Sequence, residues 1–365
     1  MSIHKYSTKR DGTHYRVMWR DAAGKQRSKS VATLAEARRI DASVKLGTSP
    51  PEPVPANVQT LNDWFYDWFR FYSREWSPTT IKQRKSLYDR WIRDQIGSEP
   101  LATIRKRTIL EYRERMINEG ATNKTVNSAI SVVSAALTAA VNEDRIEHNP
   151  CREMRRLKTE PTSRRALTTL EVEAIRDAMS TPRDKIVVSL LAYAGLRPAE
   201  LLGLQWKHVR DNVIIVEQSA QDGTIVSTKT GKTRSVPICA ELAIDIAAYG
   251  RGDADTFVVT GERGGILHWK NWFRRVWMPA AAAAGVNARP YDLRHTFASL
   301  MLHSGATIPE TSAALGHANP VMTLNTYSHV YAEAQGSTRL SLDEAIRAAR
   351  TQRAAKDRAA GGAAA

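Results

Sequence analysis

Cysteine is nearly absent: Cys151 and Cys239 are the only two among 365 residues. Two thiols cannot build a disulfide framework or a four-thiolate metal site. Long apolar runs are missing too. The best, Ile186 to Leu196, is interrupted by Ser189 and Tyr193, short of the ~18–20 residues that span a bilayer. The opening Met1-Ser2-Ile3-His4-Lys5 is polar and has no signal-peptide core. Acidic side chains are in deficit, 38 against 53 Lys and Arg, for a net charge of +15. No internal repeat is visible. The expectation is a cytoplasmic protein without a membrane span. An apolar fraction of 42 % with 25 % charged residues excludes a wholly disordered chain, and the length suits two or three domains. The charge attracts polyanions, nucleic acid ahead of anionic membrane. The bland alternative is a basic surface kept for solubility.

The distribution of that charge is uneven. Residues 1–49 hold eleven basic and four acidic side chains. His14 to Arg20 alternates with period two, Asp21-Ala22-Ala23-Gly24 is a turn signal, and Lys25 to Val31 and Ile3 to Thr8 complete a predicted three-stranded sheet. Thr33-Leu34-Ala35-Glu36 opens a helix to about Leu46. Four prolines between Thr48 and Pro55 make residues 50–59 a stiff spacer. Residues 60–150 read as a four-helix domain, with starts at Thr60 and Ser77-Pro78, a third helix near 107–119 and a fourth from about Lys124 to Asn142. Trp64, Trp68 and Phe71 fall at i, i+4 and i+7, the spacing of a buried face, although such a run also suits base stacking. A basic connector follows over 151–165. Residues 166–340 read as a larger, mostly helical domain in which Val213–Val216, Thr224–Thr228 and Thr233–Ile238 form a three-stranded sheet. Ser341-Leu342-Asp343-Glu344 caps a final helix and tail over 341–365. The fold class is mainly α with small β-sheets.

Four segments place polar, reactive groups inside apolar helix patterns. In Ala194-Gly195-Leu196-Arg197-Pro198-Ala199-Glu200-Leu201, Pro198 suits the first helical position. Arg197 then stands at the helix entrance with free amides, an anion site, and Glu200 holds its guanidinium. Thr228 to Arg234 reads as a tight hairpin carrying Lys229, Lys232 and Arg234. Tyr291-Asp292-Leu293-Arg294-His295 opens a helix with the apolar stripe Leu293, Phe297, Leu300 and Met301, leaving Arg294 at the core's rim. Leu315-Gly316-His317 ends one helix before the next reaches Tyr327. Two guanidiniums clamp a phosphate and stabilise a pentacoordinate transition state. A tyrosine is a possible nucleophile, although its pKa of ~10 requires activation. Lys and His can move protons. With no carboxylate pair and no metal cluster, the set suits covalent phosphoryl transfer on a phosphodiester.

Each signal alone is ordinary; their order is specific. With Arg294 and His317 23 residues apart, His317 and Tyr327 ten apart, and Asn325-Thr326-Tyr327-Ser328-His329 around the last tyrosine, the C-terminal half resembles the tyrosine recombinases of the phage-integrase type. The helical middle resembles that family's core-site binding domain, and the basic N-terminal sheet its arm-site binding domain.

The resemblance implies that Tyr327 attacks the scissile phosphate to give a 3′-phosphotyrosyl link and a free 5′-hydroxyl. It implies that Arg197 and Arg294 hold the non-bridging oxygens, assisted by His317, and that Lys229 protonates the leaving oxygen. No metal, ATP or other cofactor is required. Where the family usually has a histidine three residues before the second arginine, this chain has Tyr291. It is read as a phosphate ligand rather than a general base, and on chemistry alone is a rival nucleophile. His295 and Glu200 are read as supporting residues, and His329 as packing or support. The implied partners are double-stranded DNA with core-type and arm-type sites, a homotetramer on DNA, a directionality factor and a host DNA-bending protein, in the bacterial cytoplasm at the nucleoid. The last helix either docks on a neighbouring protomer or packs on its own domain. A type IB topoisomerase and a catalytically silent DNA-binding protein are the competing readings.

Overall fold

The computed structural model describes residues 2–8, 12–20, 26–31, 33–45, 59–160, 165–221, 223–227, 233–335 and 340–362. The chain forms two compact units, Met1–Pro161 and Thr162–Ala365. The predicted turn at 21–24, nearly all of the proline-rich spacer and the loop holding Lys229 lie outside the described residues.

In the first unit β1 (Ser2–Thr8), β2 (Gly12–Arg20) and β3 (Gln26–Val31) form an antiparallel meander. Alternation puts Tyr15, Val17 and Trp19 on one face, where Val17 and Val31 meet Ala37 and Ile40 of α1 (Leu34–Lys45). Four helices follow. α2 (Leu61–Tyr72) starts in a capping box between Thr60 and Asp63, and α3 (Pro78–Leu87) starts at Ser77 with proline in its first turn. α4 (Lys106–Asn118) and α5 (Asn123–Asn142) complete the set. α5 is long and apolar enough to cross a membrane by length and composition. Here it is the bundle's central helix, burying Val126, Ala129, Val133, Ala136, Leu137 and Ala140.

The aromatic run is core, with one correction. Leu61, Trp64, Phe65 and Trp68 are buried, whereas Phe71 is 60 % exposed. Trp76, returning after a 3-10 turn, packs on Trp68 with ring centroids 4.7 Å apart, and Arg84 lies 4.0 Å from its centroid. Phe71 lies at the surface instead, with the Arg70 guanidinium 5.6 Å from its ring centroid. The segment read as a connector also starts packed: Cys151 is buried, and Asn127 bonds both the carbonyl and the amide of Leu157 at 2.9 Å.

The second unit is built around α7 (Pro182–Tyr193), buried on every side from Ile186 to Tyr193, as expected for a helix apolar all round. α6 (Thr169–Asp177) opens in a Thr168–Glu171 capping box, and the short α8 (Pro198–Gly203) follows α7. The predicted single sheet is two. β4 (Val209–Arg210), β5 (Val213–Val216) and β8 (Arg234–Pro237) pair in that order, while β6 (Gln218–Gln221) and β7 (Thr224–Ser227) form a separate hairpin. β7 and β8, expected to flank one tight hairpin, thus belong to different sheets. The chain continues through α9 (Ala240–Tyr249), α10 (Trp269–Trp272) and α11 (Met278–Ala283). α12 (Pro290–His303), α13 (Ile308–Leu315) and α14 (Pro320–Gln335) then pack together, α12 also lying on α7. α15 (Leu342–Gly362) lies on α6 and α9 of its own unit, burying Ile346 and Ala349.

Candidate active site

The C-terminus of α13 organises the site. Gly316 caps that helix in the left-handed conformation at φ +63°, where glycine carries no Cβ penalty. The last carbonyls are left facing one side, and three guanidiniums take three of them in succession. Arg234 Nε donates to Ala314 O at 2.9 Å, Arg294 donates to Leu315 O, and Arg197 donates to Gly316 O at 3.1 Å. Cations suit this end of a helix, where the carbonyl dipoles leave partial negative charge.

Glu200 binds the cluster together. Its carboxylate meets Arg197 at 2.6 Å, grips Arg234 through a bidentate pair at 2.8 and 2.7 Å, and lies 4.0 Å from Arg294. Its Oε2 also accepts from the amide of Arg197 at 2.8 Å. The Arg197 amide, expected to stand open to an anion at this helix entrance, is therefore taken by Glu200. Burial alone would raise the Glu200 carboxyl, but Arg234 and Arg197 hold it down at about 2. Arg294 is 2 % exposed, so it sits inside the core and not at its rim, with a further bond to Gly195 O at 2.5 Å. Burial and repulsion from Arg197 lower it to about 10, so it stays cationic at neutral pH. A Cβ on Gly195 would stand 2.2 Å from the Phe297 ring, and its φ is +59°. Glycine there lets α12 lie close enough for Arg294 to reach that carbonyl.

His317 follows the cap directly, its Nδ1 2.7 Å from the hydroxyl of the fully buried Thr323. Burial, with Arg294, Arg197 and Arg234 nearby, lowers it to about 4. It is neutral at pH 7, and in the tautomer in which Nδ1 accepts from the Thr323 hydroxyl, Nε2–H is a donor. Three arginines against one glutamate leave two positive charges among the described residues. A phosphodiester brings one negative charge and its pentacoordinate transition state two, so the surplus matches the charge that develops in the reaction.

The two tyrosines separate. Tyr327, on α14, is 5 % exposed and hydrogen-bonded to His295 Nδ1. Tyr291, in the first turn of α12, is 39 % exposed, and its ring packs edge-to-face with that of His295 at 5.8 Å between centroids. A cavity of about 580 Å³ beside it is walled by Trp269, Phe273 and Pro290, with Lys270, Arg274 and Arg289 at its margin. His329 is exposed, and Lys229 lies outside the described residues. Thus Arg197, Arg294 and His317 come together around one helix end. Sequence reasoning left Arg234 unassigned. The available signal was strand alternation, which puts Arg234 on the same face as the buried Val236.

Comparison with known proteins finds relatives of both units. Residues 165–334 match the Phage integrase family and residues 61–157 the Phage integrase central domain. The ICEBs1 integrase of Bacillus subtilis is 25 % identical over 294 residues, covering 74 % of this chain and 78 % of its own. Tyrosine recombinase XerA of Thermococcus kodakarensis is 29 % identical over 268 residues, 70 % of this chain and 86 % of its own. Among solved structures, the Tn1549 transposon integrase in complex with a circular intermediate DNA aligns with TM-score 0.63 at 22 % identity, over 80 % of this chain and 99 % of that one. A lambda integrase tetramer bound to a Holliday junction aligns with TM-score 0.63 at 20 % identity, over 88 % and 93 %. The chain belongs to the phage-integrase family of tyrosine recombinases, the enzymes of site-specific DNA recombination.

Proposed function

We propose that this recombinase cuts and rejoins DNA through a 3′-phosphotyrosyl intermediate at Tyr327, integrating and excising a phage or other mobile element. The observation that carries this reading is the guanidinium cluster at the end of α13, with a neutral His317 at its edge and Tyr327 on the next helix. Arg197 and Arg294 hold the non-bridging oxygens, and His317 donates through Nε2–H. Glu200 and Arg234 fix the geometry. Tyr327 Oη attacks phosphorus as the bond to the 5′-oxygen breaks, and Lys229 delivers the proton that oxygen needs. Tyr291 donates to phosphate from the site's open side. The bond energy is kept in the phosphotyrosine, so neither ATP nor a metal enters.

The partner is DNA. The helical bundle and the second unit bind core-type sites, and the basic N-terminal sheet binds arm-type sites, at the nucleoid in the bacterial cytoplasm. Two duplexes exchanging strands require four cleavages, and with one Tyr327 per chain a homotetramer assembles on DNA. A directionality factor and a host DNA-bending protein fit the separate arm-binding module. The test is covalent trapping on a nicked suicide substrate in EDTA. Wild type forms the adduct, Tyr327→Phe binds DNA and forms none, and Tyr291→Phe still forms it. An adduct from Tyr327→Phe, or its loss only in Tyr291→Phe, overturns the assignment. Joining of two distinct duplexes separates a recombinase from a topoisomerase.

A further inference from the structure

We propose that His295 positions the Tyr327 hydroxyl and takes its proton as the phosphotyrosyl bond forms, an inference that rests on Tyr327 being the nucleophile. The two side chains come from different helices, α12 and α14, and are 6 % and 5 % exposed. His295 Nδ1 is hydrogen-bonded to Tyr327 Oη, and the rings lie 5.6 Å apart at 44°. A phenol with an ordinary pKa of ~10 is a weak nucleophile at neutral pH, so a base within hydrogen-bond reach is the first thing the chemistry asks for.

The other bases of the site are engaged elsewhere. Glu200 is held by Arg197 and Arg234, and Asp292 accepts from the amide of Arg289 at 2.8 Å. His317 has Nδ1 on Thr323 and is held at about 4 by burial and the arginines. Tyr291, four residues before His295, is itself a phenol, its ring packed edge-to-face with the imidazole. Helix geometry explains the placement. Successive residues on a helix point about 100° apart, so Arg294 faces the carbonyls of Gly195 and Leu315 while His295 faces α14. One turn of α12 thereby delivers both a phosphate clamp and the group on the nucleophile.

The step balances. With the ring proton on Nε2, Nδ1 accepts the phenolic proton while Tyr327 Oη bonds to phosphorus and the bond from phosphorus to the 5′-oxygen breaks. The leaving oxygen takes its proton from the general acid, assigned above to Lys229. The imidazolium forms as the phosphorane gains its second negative charge, and on religation His295 returns the proton to the departing phenolate. Around the imidazole, among the described residues, are Tyr291 and Arg294 of its own helix, Tyr327 from α14 and His317, whose lowering includes a contribution from His295.

The test is single-turnover adduct formation by the full chain on two suicide substrates. One has an ordinary scissile phosphodiester; the other has a 5′-bridging phosphorothiolate, whose thiolate leaves without a proton. His295→Phe keeps the ring and loses Nδ1. His295→Asn keeps an acceptor near Nδ1 that cannot take a proton. Both should bind the DNA and cleave either substrate about 100-fold more slowly, with rates rising roughly tenfold per pH unit between 7 and 9 where wild type is level. Wild-type rates and profile in both variants would overturn the proposal, as would a defect that vanishes on the phosphorothiolate, which would put His295 on the leaving-group side. If neither variant folds, the wild-type profile on the phosphorothiolate decides. A plateau through neutral pH supports a built-in base, and a unit slope up to pH 9 refutes it. An adduct formed by Tyr327→Phe would instead refute the nucleophile.

Discussion

At Glu200 one carboxylate, 4 % exposed, offsets the charge of Arg197 and Arg234 and stands 4.0 Å from Arg294. Removing one partner of a buried ion pair costs about 3–5 kcal/mol because the others stay desolvated. Glu200→Gln should lose about that much in urea denaturation and also form no adduct; a loss below about 1 kcal/mol would mean solvent reaches the cluster. Gly316→Ala forces a Cβ into φ +63° and to 2.8 Å from Arg234. The left-handed conformation alone costs about 1–2 kcal/mol, and turning the cap misaims the carbonyls that seat all three arginines, so cleavage should fall more than DNA binding. Acid sensitivity has a defined sign. His317 titrates at about 4 in the fold against an ordinary 6.5, so the unfolded chain takes up its proton first. Its contribution is complete above pH 6.5 and is lost as pH falls through 4, and Glu200, held at about 2, adds a further loss below 4.5. Melting temperature should drop as pH falls from 6.5 to 4, with a shallower drop in His317→Gln. An unchanged slope in that variant would exclude His317 as the cause.

Among the elements, α15 takes the one of its two readings in which it packs on its own domain. Arg350 bonds Glu173, Glu241 and Asp245, which are 1 %, 6 % and 6 % exposed, and Arg353 reaches Asp177 at 2.6 Å. Arg176 shares Glu173 and Asp245 from the other side. A helix held by a buried ionic cluster and by Ile346 is part of its own unit. Deleting residues 340–365 should lower the melting temperature by several degrees, consistent with about 3–5 kcal/mol for an orphaned buried charge, and Arg350→Met should reproduce most of that loss. Unchanged melting would show that α15 is undocked in solution and available to another protomer. Its alanines and arginines are compatible with either site, because amphipathicity specifies that a face is buried and not on which surface.

For the whole molecule, the +15 charge sets the terms of assembly. Copies repel until DNA neutralises them, so the free protein should be monomeric by light scattering and tetrameric only on paired sites. The N-terminal sheet closes its own small core around Val17 and Ile40, and α1 contacts the helical bundle through Arg38, bonded to Gln95 at 2.9 Å and Glu119 at 3.2 Å. Deleting residues 1–49 should therefore spare cleavage at a core site, weaken binding to the second class of sites, and reduce the salt dependence of what binding remains. Loss of core-site cleavage in a folded deletion would put the module inside the catalytic machinery.

Local chemistry made much of this protein legible in its residues alone. The Thr60, Ser77 and Thr168 starts, the stop at Gly316 and the alternation of β2 are decided within a few positions by capping and periodicity, so the sequence suffices for them. The order of Arg197, Arg294, His317 and Tyr327 was enough to point to phosphoryl transfer. The pairing of β7 with β6, the exposure of Phe71 and the seat of α15 were not legible, because each depends on which distant surface is already occupied. The same holds inside the site. Arg234 reads as a loop cation until β8 turns it onto Glu200, and the amides before α8 read as an anion site until Glu200 takes the Arg197 N–H. His295 reads as support until α14 brings Tyr327 to its Nδ1. Residue types and spacing determined which chemistry this chain can perform. Which side chain touches which was decided by long-range packing, where contacts join positions tens to more than a hundred residues apart and no local rule constrains them.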